Sequence, residues 1–359
     1  MKTKIYLIAS ILTLTFVWSQ AAPNPAPPPP NPYQTRNMHF GVSGGNVNDI
    51  THAFCCSGTL GSLVAGGSTQ YILSNDHVLA RQDQAAPGED ISQPGLIDNG
   101  CAIATVVADY TAAVQLGTRN VDCAIAAVRA GLMDSTGFIE GLNGIGGQPS
   151  TSTSAPSVGM AVQKSGRTTG HTTGTIGSIN TSVSVQYQKN CGSGRKYTIN
   201  YTNQVVINSS SFSAGGDSGS LILTNASCAH PVALLFAGSS TDTIGNPISD
   251  VLNALSAVGH PVSFVGMNCT EPGSPQSGAE SFQLPQQALD RANAVLEQQR
   301  PDLMSQPAVL GVGLGALEDN STAAVVVYVD KTSPAKPQLP EQVDNVPVRM
   351  IMTDPFIAY

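Results

Sequence analysis

Three short stretches carry side chains able to act together on an acyl carbon. Ile72-Leu73-Ser74-Asn75-Asp76-His77-Val78 ends an apolar strand with a histidine. Val121-Asp122-Cys123-Ala124-Ile125-Ala126 opens another strand with an aspartate. Ala214-Gly215-Gly216-Asp217-Ser218-Gly219-Ser220 sets a serine in a Gly-rich turn that runs into Leu221-Ile222-Leu223. A hydroxyl attacking a carbonyl needs a base to take its proton, and the base needs an anion to orient it and stabilise its charged form. Ser218, His77 and Asp122 suit these roles in turn. The turn glycines let the amides of Gly216 and Ser218 converge on a developing oxyanion, where one donor is worth about 3–4 kcal/mol. His39, His52, His171, His230 and His260 lack such strand context and read as surface or core residues. The seven cysteines show no CxxC spacing, so a structural zinc site is not expected. Gly311-Val-Gly-Leu-Gly315 has neither the full spacing nor the following helix of a phosphate loop, and no cofactor is expected.

The elements that must hold these groups are short strands. The chain of 359 residues is 41% hydrophobic and only 11% charged, with 36 Gly and 24 Pro, which excludes a disordered chain and a charged helical bundle. β-branched or alternating runs at 57–65, 71–74, 101–108, 124–128, 174–185, 197–207, 220–223 and 232–237, divided by Gly, Asn or Ser clusters, predict a mainly β barrel or sandwich. Pro247 opens a helix with Ile248, Val251, Leu252 and Leu255 on one face.

Domain organisation follows composition. Lys2 and Lys4 precede the apolar run Ile5 to Val17 and small residues at Ser19 and Ala21, which predicts a signal peptide over 1–21 and a secreted or periplasmic protein. Residues 22–37 form a Pro-rich spacer. The main β domain spans 38–270, a linker 271–281, and a small α+β domain 282–359. The last is predicted from a helix over 286–299, stopped by Pro301, and strands at 309–314, 323–329 and 348–352. From residue 271 onward there are eleven acidic and five basic residues. This acidity suggests steering of basic partners, hence a targeting role separate from the chemistry. A formal charge of −8 over the whole chain argues against nucleic acid as a partner, and no membrane span is expected once the signal is removed. Oligomeric state is not legible.

The stretches around His77, Asp122 and Ser218 together resemble the chymotrypsin-like serine peptidases of the bacterial secreted type. The order His, Asp, Ser and the motif Gly216-Asp217-Ser218-Gly219 match that family. Cys56-Ser57-Gly58-Thr59-Leu60 is similar to its strand before the histidine, and Gln163-Lys164-Ser165-Gly166-Arg167-Thr168-Thr169-Gly170 to a motif opening its second barrel. The resemblance covers about Met38 to Val265. It implies a double β-barrel with a C-terminal helix and hydrolysis of protein or peptide substrates through an acyl-enzyme. It further implies a structural ion pair of Asp217 with Lys164, a pocket with Phe212 at its base, and a substrate-pairing strand containing Phe236 and Gly238. Phe212 disfavours cleavage after Lys or Arg, and Leu235 replaces the His of glutamyl-specific members, so apolar or small side chains are expected. No Ile/Val-Val-Gly-Gly start is present, so activation by a new N-terminus is not expected. Val78 stands where the family has a Cys, which leaves Cys56 to pair with Cys101. Cys191 with Cys228 is a further candidate bridge, and Cys123 a free buried thiol. A non-proteolytic binding or adaptor protein on the same fold is the competing reading.

Overall fold

The computed structural model describes residues 31–269 and 284–359. The signal peptide expected at 1–21, the first part of the spacer (22–30) and the linker expected at 271–281 lie outside the described residues. Strands β1 (Val42–Asn46), β2 (Gly58–Leu60), β3 (Ser62–Gly66) and β4 (Thr69–Ser74), the one-turn helix α1 (Asp76–Leu79), and strands β5 (Asp90–Gln93), β6 (Thr105–Ala113) and β7 (Ala124–Val128) build the first sheet. Its order is β3-β4-β7-β6-β5-β1-β2. β2 and β3 are two halves of one strand bent at Gly61, and this closes the ring. A Cβ at Gly61 would lie 1.9 Å from the carbonyl oxygen of Gly219, so the bend brings the first barrel against the turn that holds Ser218.

The second ring comprises β8 (Ala161–Gly166), β9 (Gly170–Asn190), β10 (Ser193–Asn208), β11 (Leu221–Thr224), β12 (Pro231–Gly238) and β13 (Asp242–Pro247). They run β10-β13-β12-β11-β8-β9, and β9 pairs back with β10. Helix α2 (Ile248–Ala257) starts at Pro247 and buries Ile248, Val251 and Leu255 against the first core, and β14 (Ser263–Phe264) adds to β3. The fold is a chymotrypsin-like double β-barrel. β1, β5, β8 and β13 escape the sequence reading because Gly and Ser in them read as turns. In β1 a Cβ at Gly44 would overlap the Leu60 side chain at 2.4 Å, so the glycine serves packing there.

Residues 284–359 form α3 (Gln286–Ser305), β15 (Val309–Ala316), β16 (Ala323–Asp330), β17 (Gln342–Val343), β18 (Val346–Thr353) and β19 (Phe356–Ala358). The helix runs past Pro301 to Ser305, beyond the stop expected there, because Leu303 in the added turn is buried in the core beneath it. The expectation of a segment standing apart also needs correction. β15 pairs antiparallel with β9, so the second barrel's sheet continues into this segment, and residues 31–359 make one compact unit. β16 alternates between two cores. Val325, Val327 and Val329 pack under α3, whereas Val326 and Tyr328 join Tyr187, Tyr201, Phe236 and Phe356. Each such side chain contributes about 1.5–3 kcal/mol by burial.

The disulfides differ from those expected. Cys55 pairs with Cys101, Cys56 with Cys191, and Cys228 with Cys269. Neighbours in extended chain point to opposite sides, so Cys55 and Cys56 reach different partners. Cys191 lies at the tip of the β9–β10 hairpin, and its bridge ties that hairpin to the rim of the first barrel. Cys123 is buried and free.

Candidate active site

His77 sits in α1 immediately after β4, and Asp122 precedes β7, which pairs with β4 from Ser74↔Ala124 onward. This register brings His77 Nδ1 to 2.6 Å from Asp122 Oδ2, and the His77 amide donates to Asp122 Oδ1 at 3.3 Å. The Asp122 backbone is held on both sides: its N–H donates to Asn246 Oδ1 (2.9 Å), and its carbonyl accepts from Asn75 Nδ2 (2.7 Å). Burial works against the charged imidazole, yet the charge and hydrogen bond of Asp122 prevail and raise the His77 pKa above its ordinary value. Burial, with the Asp122 charge, pushes the neighbouring Asp76 carboxyl well above its ordinary range. Asp49 on the rim is likewise pushed up to about 6 by burial.

One member of this cluster has no local signal in the sequence. Tyr187, in the far half of β9, donates its hydroxyl to Asp122 Oδ2 at 2.8 Å, and its oxygen lies 2.7 Å from the Tyr201 hydroxyl. Burial lifts the Tyr187 phenol far above its ordinary range, so it stays a donor. Only the long hairpin, wrapped back across the first barrel, brings it there. Tyr187→Phe leaves Asp122 with one donor fewer and strengthens its pull on the His77 proton. The expected outcome is a fall of about tenfold in kcat/KM with the acid limb of the pH profile moved upward, read by a pH–rate series. An unmoved limb would make Tyr187 mere packing.

Ser218 is fully buried, in a turn stapled to β2. The Thr59 amide donates to the Ser218 carbonyl at 2.8 Å, and Thr59 Oγ1 donates to the Gly216 carbonyl at 3.0 Å. Gly216 (φ +97°) and Gly219 (φ +91°) take backbone conformations that L side chains rarely adopt. Asp217 beneath the turn is held by five donors. Thr168 and Thr169 amides donate to Oδ1 (2.8 and 3.2 Å), while Oδ2 accepts from Thr169 Oγ1 (2.7 Å), the Ala214 amide (3.0 Å) and Lys164 Nζ (3.4 Å). Lys164 is wholly buried, and burial lowers its pKa despite Asp217.

The residues expected to bind substrate separate. Phe212 does not floor a pocket with its ring, which lies in the second-barrel core with Ile176, Ile207 and Leu235, because the barrel turns it inward. Phe236 and Gly238 present backbone on the edge of β12. Ser218 Oγ donates to the Phe236 carbonyl at 3.1 Å and has no hydrogen bond to His77. That edge of β12 is already paired with β19, at Ala237↔Ala358 and Gly238↔Ile357, and the Tyr359 amide donates to the Phe236 carbonyl at 3.4 Å. His77 Nε2 donates to the Tyr359 carbonyl at 2.9 Å, so both ring nitrogens face acceptors, an arrangement the doubly protonated ring satisfies. Beyond His77 a cavity of about 300 Å³ is lined by Asp49, Arg167, Gly216 and the Cys56–Cys191 bridge. Among the described residues no group of three His, Cys, Asp or Glu is placed to hold a metal ion, and no helix is long and apolar enough to cross a membrane.

No protein-family model matches the sequence, and no curated protein matches it. Several solved structures are similar to this chain. A glutamic acid specific serine protease, described as using a histidine triad in substrate binding, is 25% identical with a TM-score of 0.44 over 63% of this chain and 98% of its own. Protease A of Thermobifida fusca is 18% identical with a TM-score of 0.43, over 64% of this chain and 99% of its own. A chymotrypsin of Cellulomonas bogoriensis gives the same identity, TM-score and coverage.

Proposed function

We propose that this protein is an exported serine endopeptidase acting through an acyl-enzyme at Ser218. The observation that carries the reading is the buried 2.6 Å contact of His77 Nδ1 with Asp122, which leaves Nε2, now 2.9 Å from the Tyr359 carbonyl, as the ring's other proton-transfer atom. In the reaction Ser218 Oγ attacks the scissile carbonyl carbon while His77 Nε2 takes its proton. The amides of Gly216 and Ser218 receive the oxyanion, the C–N bond breaks, and His77 returns the proton to the leaving amine. Water then attacks the ester by the same route, regenerating Ser218. Asp122 keeps the imidazole oriented and stabilises its charge. Three disulfides fit an oxidising compartment.

A fluorophosphonate probe tests the reading. Because residues 357–359 lie along the β12 edge, the probe is applied to Tyr359→Gly. It is expected to add once, on the peptide containing Ser218, and not to add to Ser218→Ala/Tyr359→Gly; a folded Tyr359→Gly protein that stays unlabelled refutes the reading. The pH dependence has a definite sign. His77 must be neutral to accept a proton and its pKa is raised, so activity should rise with pH through a midpoint above the ordinary value of about 6.5. A limb centred below pH 5 would point to carboxylate chemistry.

A further inference from the structure

Residues 356–359 lie where a peptide would have to lie for the chemistry above. β-Strand addition recognises a peptide by main-chain hydrogen bonds along an exposed edge, with side-chain pockets supplying specificity. Here the edge of β12 beside Ser218 is taken by β19 of the same chain, running antiparallel, with Ile357 opposite Gly238. The strand is anchored from behind. Phe356 is buried, edge-on to Tyr328 at 5.9 Å, and β19 also pairs with β9 at Phe356↔Val185. Asp354 just before it is paired with Lys331 at 3.0 Å. The chain then runs forward to Tyr359, whose carbonyl accepts a hydrogen bond from His77 Nε2, the atom that must be free to take the Ser218 proton.

The Tyr359 side chain enters a slot between residues 213–215 and 238–240. Its hydroxyl donates to the Ser239 carbonyl at 2.8 Å, and Ser213 also hydrogen-bonds it. A Cβ at Gly238 would lie 2.3 Å from that hydroxyl and 2.6 Å from the ring carbon bearing it, so the absent side chain makes the room the ring uses. The residues lining the slot include no Lys, Arg or His; its polar groups are backbone, serine hydroxyls and the Asp354 carboxylate, which is already paired with Lys331 at 3.0 Å. Such a slot suits a flat ring with a polar tip and leaves an acidic side chain without a cation.

Building on the acyl-transfer reading, we infer that residues 357–359 occupy the protein's own peptide subsites as an internal inhibitor, and that the primary pocket they fill selects aromatic side chains, tyrosine above all. Withdrawal of this segment from β12 must precede substrate entry. The last part of the chain thereby becomes a regulator of the site, with α3 and β15–β18 as its mounting.

The test separates this inference from the acyl-transfer reading by measuring binding without turnover. Acetyl-Phe-Ile-Ala-Tyr is titrated into Ser218→Ala and into Ser218→Ala/Tyr359→Gly, with Ile357→Pro as a second way to free the edge. The peptide should bind the freed proteins at least tenfold more tightly than the protein with Tyr359 in place. Versions ending in Lys or Glu should bind at least tenfold more weakly. Equal affinity for intact and freed proteins, or a preference for Lys or Glu, would overturn the inference. Fluorophosphonate labelling of the single Tyr359→Gly variant reports on the chemistry apart from this. Absent labelling beside tight peptide binding would reject acyl transfer and support the docking assignment.

Discussion

Replacing Ser218 with alanine should lower peptide hydrolysis by roughly 10⁴ to 10⁶-fold, the range found when an activated serine is removed from a site that keeps its other groups. The comparison belongs in the Tyr359→Gly background, where the groove is open. Stability should barely change, because Ser218 Oγ makes a single neutral hydrogen bond, to the Phe236 carbonyl, and alanine leaves no charge exposed. Initial rates on an acetyl-Phe-Ile-Ala-Tyr anilide, with thermal melts alongside, give both numbers. A loss below about tenfold would mean that the attacking group is not Ser218.

The second large effect concerns Lys164. Lys164 and Asp217 are both fully buried, and removing one partner of such a pair strands the other at a cost of about 3–5 kcal/mol. Lys164→Met should therefore lower stability by about that amount in urea unfolding. It should also depress activity, since Asp217 fixes the turn carrying the Gly216 and Ser218 amides. Lys164→Met/Asp217→Asn removes both charges and should recover part of the loss. If the double variant is as unstable as the single one, packing of the lysine stem explains the effect and the ion pair does not.

The sequence carried the site's local parts more clearly than its distant ones. His77, Asp122 and the Gly216–Gly219 turn are each embedded in a strand or turn whose residues lie within ten positions, so their context is readable along the chain. Tyr187 meets Asp122 across 65 residues, and nothing near Tyr187 distinguishes it from any tyrosine on a strand. The disulfide pairings are not legible along the chain for a related reason. Adjacent Cys55 and Cys56 face opposite ways, and which one meets Cys101 depends on the bend between β1 and β2. Phe356–Ala358 gave no strand signal because three residues after Pro355 are too few to show a period. Their pairing with β12 rests on the long β9, which accepts both β15 and β19. Pro301 shows tertiary packing outweighing a local stop, with burial of Leu303 extending the helix.

On the acyl-transfer proposal, the reaction passes through a covalent acyl group on Ser218. Acid-quenched intact-mass measurement, milliseconds after mixing the Tyr359→Gly protein with a nitrophenyl ester of acetyl-Phe-Ile-Ala-Tyr, reads that group directly. One added acyl mass per chain is expected, located on the Ser218 peptide and absent from Ser218→Ala. Hydrolysis of the ester that proceeds with no covalent mass at any quench time, and equally in Ser218→Ala, would contradict it.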